Sequence, residues 1–180
     1  MWIGLCVVLS SGLAAARGAP AARIGEKVET FERADSQGKT VRLAEALKSG
    51  RAVVIDFWSS RCPVSERYEP VLKKLATEYA QKGVVFLAVD ANYNEPAEEI
   101  ERVRRDRGVT VPVLMDGAEG KLAAYFAASH TPEAYLLGKD GKLVYHGNLD
   151  ELGGALDAVL SGKPVPKAET RAFGCSIKRP

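Results

Sequence analysis

A chain of 180 residues has room for one domain around one hydrophobic core, and not comfortably for two. With 46% hydrophobic and 27% charged residues, the composition is that of a folded globular protein and excludes a disordered chain. Its 25 basic and 23 acidic residues leave a formal charge of +2, which excludes the strongly basic face that nucleic-acid binding requires.

The chain opens on a segment unlike the rest. Ile3 to Leu13 is an apolar run, and Ala14, Ala15, Ala16, Gly18 and Ala19 follow as the small residues a signal peptidase accepts. Residues 1–22 therefore read as a secretory signal peptide. The run is shorter than the ~20 residues that span a bilayer, so membrane contact is expected only through this leader. Cys6 lies inside the run, behind Leu5 rather than the small residue a lipid-anchored cysteine needs, and is expected to leave with the leader. Cys62 and Cys175 then remain in a mature chain expected in an oxidising compartment, periplasmic or extracellular. Two thiols are compatible with one structural bridge, a redox pair or metal ligands.

From residue 23 the pattern alternates strand and helix. Glu29–Ala34 and Thr40–Arg42 flank the turn-rich Asp35–Gly38 and predict an N-terminal hairpin. Leu43–Lys48 reads as a short helix stopped by Gly50. Ala52–Phe57 is apolar throughout except for Asp56, the signature of a strand buried on both faces. A helix is predicted from Pro63 to Gln81, with Pro63 at its first position and Pro70 inside as a kink. Val84–Val89 is a second buried strand. Pro96 opens a further helix with Asn94 as its cap; Glu95, Glu98 and Glu99 stand near its start and Arg102, Arg104, Arg105 and Arg107 near its end. That order complements the helix dipole and describes a solvated face better than an anion site. Val111–Leu114 is a short strand and Gly120–Phe126 a short helix. Glu133–Leu137 and Leu143–His146 bracket a turn at Asp140-Gly141, a hairpin in which His146 is expected to face solvent. Asp150–Leu160 is the last helix, ended by Gly162. The tail, 163–180, carries Cys175 and has no periodicity. Residues 23–162 are thus expected to form one α/β domain around a mixed sheet.

The chemistry concentrates in Asp56-Phe57-Trp58-Ser59-Ser60-Arg61-Cys62-Pro63-Val64-Ser65. A buried strand ends, a long helix begins, and Cys62 stands at the junction. There its sulfur meets the unpaired amides and positive dipole of the helix start, with Arg61 beside it. Both favour the thiolate, which is the nucleophile.

The segment resembles the active-site region of thioredoxin-fold redoxins. Asp56 stands six residues before the cysteine, where that family carries a buried acid. Phe57-Trp58 matches the aromatic pair that follows, Pro70 the proline inside the active-site helix, and Thr131-Pro132 the loop whose proline is cis and faces the cysteine. The resemblance implies an α/β/α three-layer sandwich with a mixed central sheet, an N-terminal hairpin and a C-terminal extension. Ser65 stands where a thioredoxin has its second cysteine, so a dithiol cycle within the helix is not available, and Asp56 loses the thiol it would serve. A peroxiredoxin-like branch is resembled more fully, through Cys62-Pro63, Thr131-Pro132-Glu133, Leu143-Val144-Tyr145-His146-Gly147 and the tail Gly174-Cys175-Ser176-Ile177-Lys178. Ile55 and Ser59 replace the proline and threonine that precede a peroxidatic cysteine; Ser59 could still supply the hydroxyl.

The resemblance implies an exported thiol-dependent oxidoreductase without a cofactor. Cys62 is its nucleophile toward a protein disulfide or a peroxide, Cys175 resolves it, Asp56, Ser65, Thr131 and Pro132 complete the site, and an external thiol is the reductant. Two other readings stay open. Cys62, His130 and Cys175 could hold a copper ion, since thiolate and imidazole suit it. The fold could also persist as an interaction domain without chemistry, which the replacement at Ser65 supports.

Overall fold

The computed structural model describes residues 21–180; residues 1–20 of the predicted leader, with Cys6, lie outside the described residues. The N-terminal hairpin pairs β1 (Glu32–Ala34) with β2 (Thr40–Arg42). Its turn is closed by Asp35, whose Oδ1 accepts the amides of Gln37 and Lys39. Helix α1 (Leu43–Ser49) leads into β3 (Ala52–Phe57), the central strand of a five-stranded sheet. Next come α2 (Pro63–Ala80), β4 (Val84–Asp90), α3 (Ala97–Asp106), β5 (Val113–Met115) and α4 (Lys121–Tyr125). After these the chain forms β6 (His130–Thr131), β7 (Glu133–Gly138), β8 (Leu143–Gly147), α5 (Leu149–Leu160) and β9 (Cys175–Ser176).

The sheet order is β5-β4-β3-β7-β8, with β3, β4 and β5 parallel and β7 antiparallel to both β3 and β8. All six side chains of β3 are buried, as its unbroken apolar run implies. Strand alternation divides them between two cores. Ala52 and Val54 pack with Leu72, Leu75 and Tyr79 of α2, Ile100 of α3 and Leu152 and Leu156 of α5. Val53, Ile55 and Phe57 pack with Leu43 and Ala46 of α1 and Leu122 and Ala123 of α4. The result is the expected three-layer α/β/α sandwich with a mixed sheet. Each fully buried Leu or Ile supplies about 1.5–3 kcal/mol of hydrophobic stabilisation. Helix α2 runs unbroken through Pro70.

Three sequence expectations about α3 are corrected. Asn94 does not cap α3: Pro96 is the N-cap and makes no side-chain cap bond, and Asn94 is exposed two residues upstream. Glu95 does not serve the dipole either, because it is buried and turned away from the helix start. The arginines are also not one solvated face. Arg102 pairs in solvent with Asp106, whereas Arg107 reaches Glu66 and Glu69 of α2 and ties the two helices together.

The tail without periodicity lies against the body. Thr170 donates its amide to the His146 carbonyl, the His146 amide donates to the Ala168 carbonyl, and the Thr170 hydroxyl accepts the Asn148 amide. Gly147 permits this approach. Its φ of 153° is unusual for a side-chain-bearing residue, and a Cβ there would overlap the hydroxyl and carbonyl of Thr170. Gly147→Ala is accordingly expected to cost about 1–3 kcal/mol in urea unfolding. Gly154→Ala, on an exposed helical position with open space around it, should stabilise by up to about 1 kcal/mol.

Candidate active site

Cys62 ends the β3–α2 loop and is the N-cap of α2 in extended conformation, with Pro63 opening the helix. Proline has no amide to leave unpaired there. The first free amide to turn toward the sulfur is that of Ser65, which donates to Cys62 Sγ at 3.3 Å. The same sulfur lies 3.1 Å from the Thr131 carbonyl oxygen, just before the cis peptide to Pro132. Cys62 is 2% exposed. It is bonded to Cys175 in a disulfide with a Cα–Cα distance of 5.9 Å across 113 positions.

Strand pairing brings the second sulfur there. β9 runs antiparallel to β6, with Thr131 opposite Cys175 and His130 opposite Ser176. The residue before Cys175 has to be glycine: a Cβ on Gly174 would run into the carbonyl of Thr131 and the nitrogen of Pro132. Beyond the sulfur, Ile177 is buried in the second core and its amide donates to the Ser129 carbonyl. The predicted residues Cys62, Cys175, Thr131 and Pro132 are thus assembled in one place.

Asp56 and Ser65 are also buried; Ser65 meets the pair through its backbone amide alone, and neither side chain is bonded to the pair or to the other. Both carboxyl oxygens of Asp56 and the Ser65 hydroxyl have no hydrogen-bond partner. Burial holds the Asp56 carboxyl well above its ordinary range, with the charge of Glu133 adding to the effect. The Ser59 hydroxyl is not directed at Cys62. It donates to Glu95 Oε1 at 2.6 Å.

Sequence reasoning missed two carboxylates that organise the loops around the sulfurs. Glu95 accepts from Ser59 Oγ, from the amide and hydroxyl of Ser60 at 2.8 and 2.6 Å, and from Asn92 Nδ2 at 2.9 Å. Asn92 in turn accepts the Lys178 amide at 2.7 Å, so Glu95 and Asn92 together join the loop before Cys62 to the segment that follows β9. Beneath them Asp90 is pushed up to about 9 by burial and by the charge of Glu95. Glu133, the residue after Pro132, accepts the amides of Ser129 and His130, the Tyr135 hydroxyl and His146 Nε2. Burial raises the Glu133 carboxyl, but these donors, His146 foremost, outweigh it and hold the group below its ordinary value. Glu95 belongs to no short motif, and Glu133 stands in Thr131-Pro132-Glu133 without any sign of which groups its carboxylate gathers. Glu95 looks like an ordinary charge at a helix start, and Glu133 lies within a strand.

His146 does not face solvent as expected. Its ring stacks on Tyr135 with centroids 4.5 Å apart, and Nε2 lies 2.6 Å from Glu133. The copper set is not brought together. Both sulfurs are consumed by the disulfide, His130 Nδ1 lies 2.8 Å from Ser129 Oγ, and among the described residues no cluster of three His, Cys, Asp or Glu could hold a metal. No helix among them is long and apolar enough to cross a membrane.

Comparison with known proteins supports this geometry. The model of the AhpC/TSA family matches residues 24–146. A thiol-disulfide oxidoreductase, ResA, of Halalkalibacterium halodurans is 32% identical over 123 residues, covering 68% of this chain and 67% of that protein. The crystal structure of a hypothetical protein from Sinorhizobium meliloti superposes with a TM-score of 0.81 at 29% identity, covering 89% of this chain and 96% of that one. That of an uncharacterized conserved protein from Geobacillus kaustophilus gives 0.78 at 31% identity, covering 87% and 92%.

The raised Asp56 carboxyl has a pH signature. The folded protein keeps this proton over a range in which the unfolded chain, with an ordinary value of 3.8, has lost it. The folded state therefore binds more protons, and the Asp56 contribution to stability falls as pH rises above 3.8. Asp56→Asn is expected to raise the urea midpoint at neutral pH and to leave it unchanged in acid. A shift of equal size at both would show that ionisation is not the cause.

Proposed function

The chain belongs to the AhpC/TSA family, and on that premise we propose that Cys62 is the nucleophile and Cys175 the resolving thiol of an exported oxidoreductase. That it is a thiol-dependent enzyme with a redox-active Cys62–Cys175 pair is plain from the disulfide and the family. The observation that carries the assignment of roles is the position of Cys62. Its sulfur caps α2, receives the Ser65 amide, and is held against Thr131 by the loop that also pairs with Cys175. A reduced sulfur there is stabilised as thiolate by the amide and the helix dipole.

Two balanced reactions fit. With a disulfide R–S–S–R, the Cys62 thiolate attacks one sulfur and one RS⁻ leaves. The Cys175 thiolate then attacks Cys62 Sγ, the second RS⁻ leaves, and two electrons have passed from the pair to the substrate. With a hydroperoxide, the Cys62 thiolate takes the terminal oxygen, becoming a sulfenic acid, and the alkoxide takes a proton. The Cys175 thiol then condenses with the sulfenic acid and releases water. An external thiol restores the pair in either case. Thr131 and Pro132 position the two sulfurs, Ser65 gives its amide to Cys62 Sγ, and Asp56 is the buried carboxyl on the strand that leads to the loop. The thiol-disulfide oxidoreductase name of the ResA relative favours the first reaction. The lone Cys62-Pro63 and the Gly174-Cys175-Ser176-Ile177-Lys178 tail favour a peroxiredoxin-like branch. We assign residues 1–22 to an export leader, 23–162 to the redoxin domain and 163–180 to the tail that carries the resolving thiol.

Mass mapping of the purified protein tests the roles. The Cys62–Cys175 link is expected to open with a dithiol and to return on addition of either peroxide or a small disulfide. In Cys175→Ser, Cys62 should be trapped as the sulfenic acid or mixed disulfide, and turnover should fall by about 100-fold or more. Gly174→Ala keeps both thiols but obstructs the approach of the tail; slow closure of the link with Cys62 still reactive is the expected result. Closure at the wild-type rate would show that β9 need not dock for resolution.

A further inference from the structure

The contacts that hold the tail over Cys62 do not run through the disulfide. Upstream of Cys175, Thr170 bonds His146 and Asn148, and Asn148 Nδ2 donates to the Arg171 carbonyl at 3.2 Å. Downstream, Ile177 is buried in the second core, the Lys178 amide donates to Asn92, the Tyr93 amide donates to the Lys178 carbonyl, and Arg179 donates to the Ala128 carbonyl. None of these bonds involves a cysteine sulfur. The anchors lie on both sides of Cys175 and on different loops of the body, so the segment between them is fixed at both ends.

Beside the sulfurs the covering is incomplete. A cavity of about 200 Å³ opens there, lined by both cysteines with Arg61, Asn94, Glu95 and Lys178. Asn94 at its margin is exposed, whereas Cys62 is 2% exposed. A cavity of this volume is on the scale of a small molecule.

We propose that residues 168–179 remain docked in the dithiol state and act as a size filter, so that Cys62 reacts with small hydroperoxides or low-molecular-weight disulfides and not with disulfides of folded proteins. This rests on Cys62 being the nucleophile and narrows its substrates to those that pass the cavity. Arg61 and Lys178 give that entrance two basic side chains, although Arg61 is already paired with Glu99.

The reduced full-length protein tests this with two thiol probes, methyl methanethiosulfonate and a polyethylene-glycol maleimide, each normalised to its rate with free cysteine and mapped by mass spectrometry. The filter predicts that Cys62 takes the small probe and excludes the polymer by at least about tenfold. Gly174→Ala should abolish this discrimination. Amide exchange of the reduced wild type adds a readout that needs no variant: residues 168–179 should stay protected. Equal normalised rates of Cys62 with both probes, or exchange of 168–179 at unfolded-chain rates, would overturn the filter while leaving the nucleophile in place. A Cys62 inert to both probes in wild type and Gly174→Ala alike would instead overturn the assignment of the nucleophile.

Discussion

The site depends on a sulfur held at the start of a helix against the edge of a two-residue strand. The Ser65 amide fixes Cys62 Sγ from one side and the Thr131 carbonyl lies on the other. Everything else in the neighbourhood follows from the need to bring a second sulfur to that spot. In a helix-borne pair the second cysteine would come one turn later, at no topological cost. Here that position is Ser65, and the second sulfur arrives from 113 residues away on a strand that must dock in register.

That exchange has a price in precision. A second thiol carried on a tail can reach Cys62 only if the tail is held, because its local concentration is set by how well its ends are fixed. The structure holds it with strand pairing, a buried Ile177, a hydroxyl–backbone clasp at Thr170, and two glycines where backbone must touch backbone. The same exchange leaves Asp56 without a thiol to serve. Its burial favours the protonated form, so that ionising it weakens the fold at neutral pH.

Two buried carboxylates frame the sulfurs from opposite loops. Glu95 gathers the loop before Cys62, and Glu133 gathers the loop before Pro132. Each saturates its oxygens with backbone amides and side-chain donors, the condition under which burying such a group is tolerable. Asn92 links the first of these hubs to the tail through Lys178. The position of Cys175 is therefore tied to the loop that carries Cys62 by this hydrogen-bonded chain through Asn92 and Glu95 as well as by the covalent bond.

Much of this was legible in residue order. The unbroken apolar run of β3 announced a strand buried on both faces, and the helical spacing after Pro63 announced α2. Cys62 at their junction identified the reactive position, because dipole and free amides are local properties of a helix start. The tail motif suggested that Cys175 matters. What only the tertiary structure decided is every feature whose partners are distant in sequence. A two-residue strand such as β9 has no period to read, since its register exists only against β6. Glu95 reads as a charge complementing a dipole until Ser59 and Ser60 are seen to turn toward it, and His146 reads as exposed until Tyr135 and Glu133 are placed beneath it. Local pattern encodes which backbone will curl or extend; it does not encode which buried polar atoms will find one another, because that depends on how separate elements pack.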